Sequence, residues 1–105
     1  MEASHPEIEV VHVEVVHTGS AREKQFPMAS DASVQQTVDE AYEKLKESRQ
    51  AGDLYMAMHD GKSTDLKPYL KATLASLLER GIGVFMENPG RAVLNLEIQP
   101  DSGGA

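Results

Sequence analysis

The chain has 105 residues, of which 40% are apolar and 26% charged, a size and balance that suit one folded domain and leave too little for two separate cores. With 17 Asp and Glu against 10 Lys and Arg, the formal charge is −7, which repels phosphate backbones and anionic membrane surfaces, so neither nucleic acid nor membrane is an expected partner. Cysteine is absent; that excludes disulfide scaffolds, thiol catalysis and thiolate metal sites and fits a reducing, cytoplasmic setting.

Residues 1–7 have neither the basic start nor the apolar stretch of a secretory signal and read as a mobile leader. No apolar run is long enough to span a bilayer. From Ile8 to His17 the residues alternate, with Val11, Val13 and Val15 on one face and Val10, His12, Glu14 and Val16 on the other, the pattern of a strand partly covered on its second side. A turn at Thr18-Gly19-Ser20 leads to a second strand over Arg22 to Ala29, in which Phe26 and Met28 share a face. Pro27 has no N–H to give a ladder, so this strand belongs at a sheet edge.

Ser33 and Gln36 have capping-box spacing, and Val34, Val38, Ala41, Tyr42 and Leu45 then recur along one helical stripe. The charged face of Glu40, Glu43, Lys44 and Glu47 reads as solvated. The helix is expected to run to Ser48–Gln50, ahead of the glycine at position 52. Leu54 to His59 makes a third strand closed by Asp60-Gly61, with Tyr55 opposite Leu54, Met56 and Met58 as the aromatic candidate for a recognition surface. A second, extended helix is expected from a cap at Thr64 or Asp65 through Pro68, with Leu66, Leu70, Leu74 and Leu77 facing the core, to a stop at Gly81. Ile82 to Met86 and Ala92 to Ile98 are the last two strands, joined by a turn over Glu87 to Arg91. In the final strand Val93 opposes the Leu94, Leu96 and Ile98 face, and Pro100 ends any ladder before a flexible tail over residues 100–105.

Chemistry-bearing residues are sparse. His12 and His17 fall on opposite strand faces, and His5 and His59 lie in the leader and at a strand end, so the histidines read as exposed and no metal site is expected. His59, Asp60 and Ser63 lie close in sequence without a nucleophile-elbow pattern and read as a turn. Gly81-Ile82-Gly83 follows a helix and lacks phosphate-loop spacing. No catalytic residue and no cofactor is assigned, and the chain is read as a non-enzyme.

The order of elements, carried by the Ile8–Ala29 hairpin, the helix with Val34, Val38 and Leu45, the Leu54 to Asp60-Gly61 strand and turn, and the Leu94-Asn95-Leu96-Glu97-Ile98 strand leading to Gly103-Gly104, resembles the ubiquitin-like β-grasp family. The resemblance covers nearly the whole chain and is closest in type to bacterial ubiquitin-like modifiers. It implies an α+β domain over residues 8–99: a mixed sheet wrapped on the first helix, with the first and last strands side by side at its centre; the extended second helix between the third and fourth strands is read from the residues themselves. It further implies a modifier precursor. A processing peptidase cleaves between Gly104 and Ala105, an activating enzyme adenylates the Gly104 carboxylate with ATP, and a conjugating enzyme passes the acyl group through a thioester to target proteins. Gly103 and Gly104 suit such a tail because they are narrow and conformationally free. The second helical connection is longer than the family's usual turn, and Pro100-Asp101-Ser102 stands where ubiquitin-type tails often carry a basic residue. The alternatives are a β-grasp interaction module that is never conjugated and a sulfur carrier; a ferredoxin-like sandwich with an added hairpin is the competing fold.

Overall fold

A computed structural model describes residues 8–87 and 90–100. Six strands form one mixed sheet, with two α-helices against it. β1 (Val10–His17) and β2 (Arg22–Ala29) make an antiparallel hairpin, His17 opposite Arg22. β6 (Arg91–Gln99) pairs in parallel with β1 along Val11–His17. The first and last strands therefore meet at the sheet centre, as the resemblance implied. On its other side β6 is shared: β3 (Leu54–His59) pairs antiparallel with its carboxy-terminal half, and β5 (Val84–Glu87) with its amino-terminal half. β2, with Pro27, lies at one edge, where the missing proline donor costs no ladder bond.

The core forms where the apolar stripes converge. Val11, Val13, Val15, Leu94, Leu96 and Ile98 line the inner face of the sheet and share one buried cluster with α1 (Val34–Leu45). All six buried α1 residues fall at helical spacing: Val34, Thr37, Val38, Ala41, Tyr42 and Leu45. The capping box is present, with Ser33 Oγ accepting the Gln36 N–H and Gln36 Oε1 accepting the Ser33 N–H, at 3.0 and 2.9 Å. α1 ends earlier than expected. Lys46 adopts the left-handed conformation, φ 58°, and its N–H and that of Glu47 return to Glu43 and Tyr42 carbonyls, so the helix closes ahead of the glycine at position 52.

The expected extended second helix is replaced by three pieces. Asp60 and Gly61 both have positive φ, 56° and 74°, the backbone a tight hairpin turn requires. The chain therefore reverses at once, and β4 (Lys62–Asp65) pairs with β3 over Met56–His59. A 3₁₀ turn over Lys67–Tyr69 holds Pro68 near its start. Only Leu74–Arg80 is α-helical (α2), capped by Thr73 and stopped by Gly81 as expected. The stripe still reaches the core at Leu66, Leu74 and Leu77, which is why periodicity over this stretch resembles one long helix.

The two helix starts brace each other. Val34 and Gln35 N–H donate to the Ala72 and Leu70 carbonyls, while Leu74 and Ala75 N–H donate to those of Ala32 and Ser30, at 2.8–3.0 Å. Four donors that helix geometry leaves unpaired are thus satisfied reciprocally, and the Leu66–Leu77 connection is fixed to the start of α1.

Candidate protein-recognition surface

The face of the sheet turned away from α1 is built from strand alternation. Val10, His12, Glu14 and Val16 of β1 point outward because Val11, Val13 and Val15 point inward. On β3 the outward residues are Leu54, Met56 and Met58, the half-buried and exposed positions, while Tyr55 and Ala57 are buried. This corrects the expectation that Tyr55 marks the surface: its ring packs edge-on to Tyr42, with centroids 6.3 Å apart, and the two hydroxyls are 3.3 Å apart.

One row across the outer face runs Asp65, Met56, Glu97, Val16 and Glu23, from β4 to β2. In the neighbouring row Glu14 stands between Asn95 and Gln25, and Ser63 beside Met58. A shallow depression lined by Glu14, Val16, Met58, Asn95 and Glu97 lies where these rows meet. Leu54 is 41% exposed at one margin and Val10 42% at another. The lower half of the face thus presents two methionines, a valine and a leucine among Glu14, Glu23, Asp65 and Glu97. None of these carboxylates forms an ion pair within the described residues; Asp65 accepts the Lys67 N–H, and Glu97 the Gln99 amide, each at 2.9 Å. At the upper end Val93, 1% exposed, lies in register between His12 and Phe85, and Phe85 stacks on His59 at 3.9 Å.

A second feature is the exit of β6. The Ile98 carbonyl accepts from the Thr18 N–H and hydroxyl at 3.0 and 3.4 Å. Gly19 lies so close to the following ring that a Cβ there would stand 2.8 Å from Pro100 Cγ. The β1–β2 loop is itself held by His17, whose Nδ1 accepts the Ser20 N–H at 3.2 Å and whose Nε2 is 4.0 Å from Glu47; Arg22 reaches the same Glu47 at 3.4 Å. Glu47 is therefore a tie between the end of α1 and the hairpin, not part of a solvated face. His17, expected to be exposed, is 7% exposed. Gly103, Gly104 and Ala105, the predicted conjugation and processing positions, lie outside the described residues, as does the leader over residues 1–7.

Among the described residues no group of three His, Asp or Glu side chains is placed to hold a metal ion. His59 and Asp60 approach to 3.8 Å at the tip of the β3–β4 hairpin, with Ser63 on β4 opposite Met58. The buried polar cluster lies elsewhere: Asp53, 1% exposed, accepts from the Tyr42 hydroxyl and from the Gln50 N–H, and its Oδ1 has no hydrogen-bond partner among the described residues. Burial, the hydrogen bond to Asp53 and the Tyr55 hydroxyl together hold the Tyr42 phenol well above its ordinary range. Arg49 covers the Tyr42 ring at 4.8 Å and binds Asp39, and that guanidinium lowers the Asp39 carboxyl below its usual value. The cluster closes the α1–β3 connection.

No family model matches the sequence, and no curated protein matches it. The fold does have relatives. The C-terminal ubiquitin-like domain of mouse tubulin-specific chaperone e superposes with a TM-score of 0.56 over 97% of this chain and 100% of that one, at 14% identity. The C-domain of the Hsp90 co-chaperone Cns1 from Saccharomyces cerevisiae gives 0.58 over 90% of this chain and 63% of that one, also at 14%. A chain from a structure described as "Molecular Mimicry of SUMO promotes DNA repair" gives 0.53 over 91% and 98%, at 9%. The fold is thus a ubiquitin-like β-grasp: a six-stranded mixed sheet, its first and last strands parallel at the centre, packed on α1.

Proposed function

We propose that this protein is a ubiquitin-like protein modifier, recognised by partner proteins through the outer face of its sheet and joined to targets through Gly104. The observation that supports the reading is the delivery of β6. The strand runs through the sheet centre, and its end is held by Thr18 and Gly19 beside Pro100, three residues before Gly103. In the reaction, cleavage after Gly104 exposes a carboxylate, which attacks the α-phosphorus of ATP and releases pyrophosphate. A partner thiolate displaces AMP to form a thioester, and an acceptor amine then displaces the thiol. Each catalytic group belongs to a partner, and this chain supplies the acyl group and the surface that orients it.

The second reading is an interaction module that is never conjugated, and the apolar and acidic outer face supports it equally. Gly104 decides between them. With a cognate activating enzyme, mass spectrometry of ATP-containing reactions should show a thioester adduct for the Gly104-ended chain and none for a chain lacking Gly103 to Ala105. Identical outcomes for the two chains would leave the interaction module as the function.

A further inference from the structure

The outer face is acidic as well as apolar. Leu54, Met56 and Met58 form a low apolar strip along β3, with Val16 across Glu97 on β1, and unbranched thioethers adapt to varied side chains. Four carboxylates, Glu14, Glu23, Asp65 and Glu97, stand within or beside it, with no lysine or arginine at an outward position in the same rows; Lys24, in register with the inward Val15, is the one cation on the rim of the depression among the described residues. Glu14 and Glu97 are half-buried on adjacent strands on one side of the sheet, and both flank the same depression. Like charges on one face favour an incoming cation over an anion. An acidic ligand would be repelled by these carboxylates, and a purely apolar one would cover them without giving them a cation.

We propose that this face binds a basic amphipathic segment of a partner protein, with one or two aliphatic side chains seated on Leu54, Met56 and Met58 and Lys or Arg side chains reaching Glu14, Glu97, Glu23 and Asp65. The inference rests on the recognition role given to the face above, but not on activation of Gly104. Cations around an apolar anchor complement it in both respects, and water exclusion around the anchor strengthens the flanking pairs.

Three synthetic peptides test this by amide chemical-shift titration against the chain lacking Gly103 to Ala105, so that a failed thioester assay has no bearing on the result. One is an amphipathic Lys/Leu peptide, the second has Ser for every Leu, and the third has Glu for every Lys. The Lys/Leu peptide should shift the amides of Val16, Met56, Met58, Asn95 and Glu97 and bind at least about tenfold more tightly than the others. Combining Glu14→Lys with Glu97→Lys should weaken it about tenfold, whereas Asp31→Lys with Glu79→Lys, the same charge change at exposed sites elsewhere, should cost less than about twofold. Equal binding of the serine peptide, equal losses in the two double variants, shifts centred on another surface, or no saturable shift by about 1 mM peptide would each overturn the proposal.

Discussion

The two faces of the sheet come from the same strands and differ in what they tolerate. On the inner face every β6 position from Ala92 to Ile98 is buried against α1 and its neighbours; on the outer face the intervening Asn95 and Glu97 are half-exposed. The inner face is closed by shape, since close-packed side chains leave no room for a charge or an extra group. The outer face carries charged side chains at half-exposed positions. Burial therefore follows strand parity over the lower half of the sheet, while at the upper end Val93 is buried on the outer side as well.

The sharpest break in that comparison is Val38→Asp. Val38 is fully buried, and an unpaired carboxylate there should cost more than about 4 kcal/mol, a large share of the stability of a domain this size. A cooperative thermal transition near that of the parent chain, followed by circular dichroism, would remove Val38 from the core. Tyr42→Phe probes the rim of the inner face more gently. It leaves Asp53 with the Gln50 N–H as its described partner and should cost about 1–3 kcal/mol in urea titrations.

The same tyrosine sets a pH dependence. Its phenol is held above the ordinary value in the fold, first by burial and then by Asp53 and Tyr55. In the unfolded chain it ionises near about pH 10. Above that pH the unfolded state holds fewer protons than the native one, so stability present below about pH 10 falls as pH rises. Denaturation midpoints taken through the alkaline range should show this fall in the parent chain and a shallower one in Tyr42→Phe.

At the margin between the faces, Gly19→Val forces a Cβ against Pro100. We expect a loss of about 1 kcal/mol or less, together with faster hydrogen exchange at the Thr18 amide, which now donates to Ile98; unchanged exchange would show that the loop does not hold the β6 exit. The smallest effect belongs to the outer face. Glu97→Lys should move stability by no more than about 0.5 kcal/mol, and a larger loss by differential scanning calorimetry would mean that the two faces are not separable.

The sequence by itself determined the elements whose pattern is unambiguous. β1 alternates β-branched residues, α1 carries both a capping box and a continuous stripe, and Pro27 excludes a central position for β2; each signal is local and each holds in the fold. The ambiguous segments were decided by tertiary contacts. In β3 both alternations are apolar, so composition does not choose between Leu54, Met56, Met58 and Tyr55, Ala57. The inward set is chosen because the Tyr55 hydroxyl finds Tyr42 and because the Gly83 backbone crosses so near Ala57 that a Cβ on Gly83 would stand 2.8 Å from its methyl. Along residues 62–80 a leucine recurrence suits one helix as well as a strand, a 3₁₀ turn and a short helix, and the Asp60-Gly61 reversal, paired on β3 and braced to the start of α1, selects the second. The proposed recognition face was hidden for the same reason. Glu14, Glu97, Met56 and Met58 come from three strands, and only the parallel register of β1 with β6 and the antiparallel register of β3 bring them onto one surface. Periodicity reports which residues of one element share a side; which side is buried, and what it meets there, depends on partners far along the chain.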